Sequence, residues 1–193
     1  MEEVTLKPKI SLKRKGEAAP FKFNERMQIE MVWSSDTDLD LCLFWKTKDG
    51  KEGGVFSDGF NQNIEDLGHL DRYPFIEHQG DKKSPRPGGE ENEVIKVKSI
   101  DGYSELYILV LNFTKAVDNI PATFNQDSGR VEITTDTGDN LEVPVDSEES
   151  GHVYLICKIE ISDSGKKVIN ERRVLTLGQA FNQIPGFKLI CNT

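Results

Sequence analysis

Asp36-Thr37-Asp38-Leu39-Asp40 runs directly into the apolar segment Leu41-Cys42-Leu43-Phe44-Trp45. In an extended chain side chains alternate, so Asp36, Asp38 and Asp40 share one face and Leu39, Leu41 and Leu43 the other. Carboxylates about 7 Å apart on one face repel one another and are costly beside a core. A hard divalent cation relieves that crowding: Ca²⁺ gathers about six to eight oxygens at about 2.3–2.6 Å, and carboxylates are its best donors. The plain alternative is a solvated strand end.

A second acidic group lies in Gly80-Asp81 and Gly89-Glu90-Glu91-Asn92-Glu93. If the loop carrying it folds back beside the first, one site gathers oxygens from Asp36, Asp38, Asp40, Asp81, Glu90, Glu91 and Glu93, and Asn92 could add an amide oxygen. The spacing is not that of an EF-hand. Lys82, Lys83 and Arg86 lie in the same loop. Either these cations face solvent and the carboxylates hold Ca²⁺, or one of them replaces the ion as the countercharge. Both readings stay open.

Other groups carry less. His78 reads as a hydrogen-bonding loop anchor, because Ca²⁺ prefers oxygen. His69 and His152 have no ligand spacing, and Ser57, Ser84 and the cysteines lack a nearby base or an oxyanion-hole glycine signature. Gly53-Gly54 and Gly88-Gly89 match no phosphate-binding pattern and read as turns. Trp33, Trp45, Phe113 and Phe124 read as core. No enzymatic activity is expected.

The elements that must position these residues read as strands. Met27–Trp33 alternates, Leu41–Trp45 is apolar on both faces, and Lys48-Asp49-Gly50-Lys51 is a hairpin signal returning through Val55-Phe56. Residues 57–93 are rich in Gly, Pro and Asn and read as loop, with Arg72–His78 as the strand candidate inside them. Val94–Lys98 alternates, and Leu106–Phe113 is the best candidate for a central strand. Arg130–Thr134 with Leu141–Val145, and His152–Ile161 with Val168–Leu177, flank two more turn signals. Val4–Leu6 and Ile10–Leu12 are short extended pieces. Helical periodicity is confined to stretches near 61–67 and 178–184. The pattern predicts an all-β antiparallel sandwich with few short helices.

The chain has 193 residues, enough for a single domain over 1–193 with a real core. A net charge of −9 and a pI near 4.9 argue against a nucleic-acid groove or a basic membrane patch. The N-terminus has no apolar leader and no run suits a membrane helix, so a soluble cytoplasmic protein is expected. Cys42, Cys157 and Cys191 are an odd number without metal spacing, in keeping with a reducing compartment.

The order of these motifs resembles the TerD family of tellurite-resistance and bacterial stress proteins. Asp38-Leu39-Asp40 before an apolar strand is similar to that family's acidic run. Glu77-His78-Gln79-Gly80-Asp81 resembles its His-x-Gly-Asp segment, and Val4–Lys7 with Ile10–Leu12 its opening. Trp33 falls at the tryptophan before the acidic strand, and Gly178-Gln179-Ala180-Phe181 is similar to the C-terminal Gly-Gln-Gly-aromatic segment. The loop from Gly80 to Glu93 departs from the family pattern, carrying Lys82, Lys83 and Arg86 and one extra residue. The resemblance implies a TerD-like β-sandwich binding Ca²⁺ through its two acidic segments, without enzymatic activity. It also implies work with other proteins of a stress-response assembly at the membrane, with no nucleic acid and no evident small-molecule substrate. One competing expectation is a C2-like module docking on phospholipid through the ion, with Tyr73-Pro74-Phe75-Ile76 as its apolar tip. Another is a metal-free structural or interaction protein.

Overall fold

A computed structural model describes residues 5–34, 37–57, 64–80 and 89–191. Asp36, Asp81, Lys82, Lys83 and Arg86 lie outside them. The strands are β1 (Ile10–Ser11), β2 (Ala18–Phe21), β3 (Met27–Trp33), β4 (Asp40–Thr47), β5 (Glu52–Val55), β6 (Gly68–His69) and β7 (Ile76–His78). They continue as β8 (Glu91–Val97), β9 (Tyr103–Leu111), β10 (Gly129–Thr135), β11 (Asn140–Val145), β12 (Val153–Ser162) and β13 (Gly165–Leu175). The helices are α1 (Phe113–Val117) and α2 (Leu177–Gln183), with 3₁₀ turns at Ile64–Leu67 and Phe187–Cys191.

Seven strands form one sheet in the order β1-β11-β10-β3-β8-β7-β6, and six form the other in the order β2-β13-β12-β9-β4-β5. Every pairing is antiparallel except β1 with β11. The expected all-β sandwich is the observed fold. Period-two alternation builds its core: Met27, Ile29, Met31 and Trp33 of β3, Ile95 and Val97 of β8, and Leu41, Leu43 and Trp45 of β4 face inward together.

The other face of the six-stranded sheet is also covered. Cys42 and Phe44 of β4, with Leu109 and Leu111 of β9, pack in a second cluster with Ala116 of α1, Ala180 of α2, Ile184 and Phe187. Burial on both sides is why the β4 and β9 sequences are apolar at consecutive positions. Gly53 and Gly54 serve this packing, since a Cβ at either would fall inside the Trp45 or Phe44 ring. By contrast, the outer face of the seven-stranded sheet is polar, and Glu142, Glu132 and Glu30 sit directly opposite one another across β11, β10 and β3.

Several boundaries differ from the sequence expectation. The Leu106–Phe113 run stops as a strand at Leu111, because Asn112 caps α1 by accepting the Lys115 N–H. The Arg72–His78 strand shrinks to Ile76–His78, because Phe75 takes φ 59° and its N–H turns back to the Arg72 carbonyl. Val4 lies outside the described residues, and Thr5 and Leu6 are not in a strand. β2 was not expected. Among the described residues no helix is long and apolar enough to cross a membrane.

Candidate functional site

The acidic residues collect at the end of the sandwich where β4 and β8 begin. Glu93 follows the inward parity of Ile95 and Val97 and lies opposite Met31, so its carboxylate points into the end of the core at 6% exposure. Its Oε2 accepts the Leu41 N–H at 2.6 Å. His78, on the inward face of β7 and 1% exposed, reaches the Leu41 carbonyl through Nε2 at 3.0 Å. Its Nδ1 accepts the Gly80 N–H at 3.0 Å. A backbone N–H only donates, so the ring proton sits on Nε2 and is given to Leu41.

These bonds answer a specific need. β5 begins its pairing at Leu43, which leaves the N–H and C=O of Leu41 beyond the ladder on that side. Buried backbone groups need partners, and two side chains of the opposite sheet supply both. Glu93 and His78 therefore form a polar clasp between the sheets. His78 is the anchor anticipated from its sequence context.

Asp40, the first residue of β4, is 9% exposed and accepts the Phe113 N–H on Oδ2 at 3.2 Å. Its carboxylate thereby takes one of the N–H donors that the first turn of α1 leaves without a partner inside the helix. Cys42 lies beside these groups: burial first, then the charges of Asp40 and Glu93, push its thiol well up. A thiol held protonated is a poor nucleophile. Asp38 is exposed. Glu91 continues the Glu93 face one step toward the strand end and lies opposite Trp33.

Glu90 is engaged elsewhere. Arg130 of β10 forks onto it, Nη1 to Oε1 at 2.9 Å and Nη2 to Oε2 at 3.3 Å, and its Nε reaches Glu132 at 2.7 Å. Among the described residues the cation that meets Glu90 is therefore Arg130 of β10, while the loop's Lys82, Lys83 and Arg86 lie outside them. Asp127 is a second residue that sequence reasoning did not single out. It is 3% exposed, its Oδ1 accepts the Thr37 hydroxyl at 2.8 Å, and its carbonyl accepts the Ser34 N–H at 2.9 Å. Trp33 Nε1 donates to the Thr37 carbonyl at 2.8 Å, so Thr37, next to Asp38, is held through both its carbonyl and its hydroxyl. No local motif marks Asp127 or Arg130, because their roles depend on which strand lies beside β3.

Of the seven carboxylates expected to share a site, the fold places Asp38, Asp40, Glu91 and Glu93 at one end and directs Glu90 to Arg130. Asp36 and Asp81 lie outside the described residues. Among the described residues no group of three or more His, Cys, Asp or Glu side chains is arranged to hold a metal ion. The donor chemistry of Asp38 and Asp40 suits a hard cation. Glu90 and Glu93 would have to give up an arginine and a backbone N–H to join them.

The proposed lipid tip is at the far end. Tyr73 packs against Trp45 and Tyr103, and the Tyr103 hydroxyl donates to the Pro74 carbonyl at 2.7 Å. Ile76 pairs with Val97, the opposite end of β8 from Glu91. Of the four residues only Tyr73 is exposed, while Pro74 and Ile76 are buried.

No family model and no curated protein matches this chain. Among solved structures it is similar to "unknown function protein SAV2460", with 15% identity over 80% of this chain and 94% of that one and a TM-score of 0.45. Likeness at that level leaves function to be argued from the residues themselves.

Proposed function

We propose that the protein is a divergent TerD-like module of the bacterial cytoplasm that performs no chemistry of its own. It docks other proteins of a stress-response assembly, and Ca²⁺ sets the state of its acidic end. The observation that carries this reading is the joining of the two acidic segments around Leu41, where Asp40 precedes it and Glu93 and His78 hold its backbone. Asp38 and Asp40 would hold the ion together with Asp36 and Asp81. Bound Ca²⁺ would neutralise that edge and order the loop that follows His78. Glu93 acts as the support beneath the site.

The test is thermal melting during Ca²⁺ titration, with Asp38→Asn/Asp40→Asn as control. A ligand that binds only the folded state raises its stability, so the wild type should gain Tm and the variant should not. A melt that stays flat at millimolar Ca²⁺ rejects the ion. The second reading, a metal-free interaction protein, is favoured by the Glu90–Arg130 fork, in which a side-chain cation already meets one of the expected ligands. Partner pull-down that is identical in Ca²⁺ and in chelator would select it. The phospholipid reading loses its support with Tyr73–Ile76 at the opposite end.

A further inference from the structure

One edge of the seven-stranded sheet is occupied by a lightly held strand. β1 pairs with β11 only at Ile10–Leu141 and Ser11–Glu142, although β11 runs for six residues. Pro8 has no N–H to give to the ladder, and beyond it the Lys7 N–H bonds to the Gly138 carbonyl at 2.7 Å. Every residue from Thr5 to Ile10 is exposed, Leu6 at 49% and Ile10 at 48%. The root of the segment is fixed by contrast. Leu12 is 4% exposed, its N–H bonds to the Glu142 carbonyl at 2.8 Å, and its carbonyl accepts Asn170 Nδ2 at 2.9 Å.

Besides these few backbone bonds, charge holds the segment. Lys7 Nζ meets Asp139 at 2.7 Å, and Lys9 Nζ meets Glu142 at 2.8 Å and Glu132 at 3.5 Å. Exposed pairs of this kind contribute little each and weaken in salt. The lysines alternate with Leu6, Pro8 and Ile10, so the residues that meet the carboxylates recur every second position, as a strand requires. Gly138 leaves room for the backbone: a Cβ there would fall 2.6 Å from the Thr5 carbonyl oxygen. The edge is therefore shaped for an extended chain with cations at alternate positions, while the chain seated on it has its ladder broken by a proline. A strand with the same lysines and no proline can pair along more of β11.

We propose that the outer edge of β11 is a strand-addition site for an extended segment of another protein carrying lysine or arginine at alternate positions, and that Thr5–Ser11 is the chain's own competitor for that site, pivoting at Leu12. The fixed root keeps the competitor on its own protomer, so a second copy is not the occupant. β10 and β3 separate β11 from β8 and its acidic end, and the site does not involve Ca²⁺.

The probe is a labelled heptapeptide of alternating lysine and valine, titrated by fluorescence anisotropy against the full chain. Beside it stand a glutamate/valine peptide and a lysine/valine peptide whose central valine is proline. Lys7→Ser/Lys9→Ser removes three ion pairs from the competitor without adding charge, and both lysines are exposed. This variant should bind the lysine/valine peptide about tenfold more tightly than the wild type, the proline peptide more weakly, and the glutamate peptide not at all. Amide hydrogen exchange over 140–145 should quicken in the serine variant and slow again when the peptide is added. Adding Glu132→Gln/Glu142→Gln to that variant should weaken the peptide and flatten its salt dependence. Lys115→Ser/Lys188→Ser, which removes the same charge from exposed positions over the other sheet, should leave wild-type affinity unchanged. Equal affinity of the wild type and the Lys7/Lys9 variant overturns the inference, as does absence of binding by that variant. So do equal binding of the glutamate peptide and protection that appears on a strand other than β11. Self-association of the serine variant that excludes the peptide also overturns it, since the edge then serves a second copy. A flat Ca²⁺ melt with intact peptide binding removes the ion from the proposed function and leaves this edge standing.

Discussion

The two ends of β4 are closed by different physics. At Asp40 the sheets meet through polar bonds: Glu93 and His78 complete the backbone of Leu41, and Asp40 meets the first turn of α1. At Thr47 they meet through rings. Trp45 stands edge-on to Tyr73 and Tyr103, its Nε1 donates to the Tyr73 hydroxyl at 3.2 Å, and Tyr103 donates to the Pro74 carbonyl. An apolar end gains from every square ångström it covers, whereas the polar end mainly avoids the cost of buried groups without partners. The aromatic arrangement fills space. The polar one completes backbone groups that the ladder leaves open.

Emptying the aromatic end should cost most. Trp45 is 3% exposed on the inner face, so Trp45→Ala should destabilise by about 3–5 kcal/mol, read from denaturant midpoints. A loss below about 1 kcal/mol would mean that the rings do not carry that end. At the other end Glu93→Ala strands the Leu41 N–H and should cost about 2–3 kcal/mol, while Glu93→Gln keeps an acceptor and should cost about 1 kcal/mol. Equal losses for the two variants would contradict the clasp, because the difference between them isolates the hydrogen bond. Tyr103→Phe removes the bond to the Pro74 carbonyl together with the hydroxyl's interaction with Tyr73, and should cost about 1 kcal/mol.

These two ends were not equally legible in the sequence. Alternation at Met27–Trp33 and the double-sided apolar runs of β4 and β9 reported the sandwich directly, because a half-buried or doubly buried strand writes its exposure into its residue types. Ala18–Phe21 escaped notice: it is a four-residue edge strand containing Pro20, and an edge position tolerates a residue with no N–H to donate. α1 was hidden because Phe113 extends the apolar run through the helix start. Within the site, the acidic run and His78 were visible as residue types. Arg130 and Asp127 were not, because their role follows from β10 lying beside β3, a pairing between distant segments that no local pattern encodes. Tyr73–Ile76 misled for the same reason: its composition suggests a tip, and only the β7–β8 register says at which end it lies.

The Glu90–Arg130 fork sharpens the comparison at smaller scale. Both side chains are partly exposed, so a double-mutant cycle with Glu90→Gln and Arg130→Gln should give a coupling of about 0.5 kcal/mol. The coupling should be the same with and without Ca²⁺ if Glu90 belongs to Arg130. A coupling that vanishes when Ca²⁺ is added would return Glu90 to the metal site and make the arginine a competitor for it.

The last contrast is between carboxylates that could wait for a cation and one that already has its own. Asp49, in the turn after β4, is held down to a pKa of about 2, first by the Lys51 ammonium at 2.8 Å and then by the Thr47 hydroxyl. A folded-state value below the unfolded one means that its stabilising contribution is present above about pH 4 and is lost as pH falls toward 2. Asp49 is fully exposed, so the readout is the carboxyl NMR titration and not the melt. Lys51→Ala should raise the Asp49 midpoint toward the ordinary range, with Thr47 retaining part of the depression. Ca²⁺ should leave that midpoint unchanged, because Asp49 already has its cation. If instead Ca²⁺ moves the Asp49 midpoint, the ion binds at the aromatic end and the assignment of roles to the two ends is reversed.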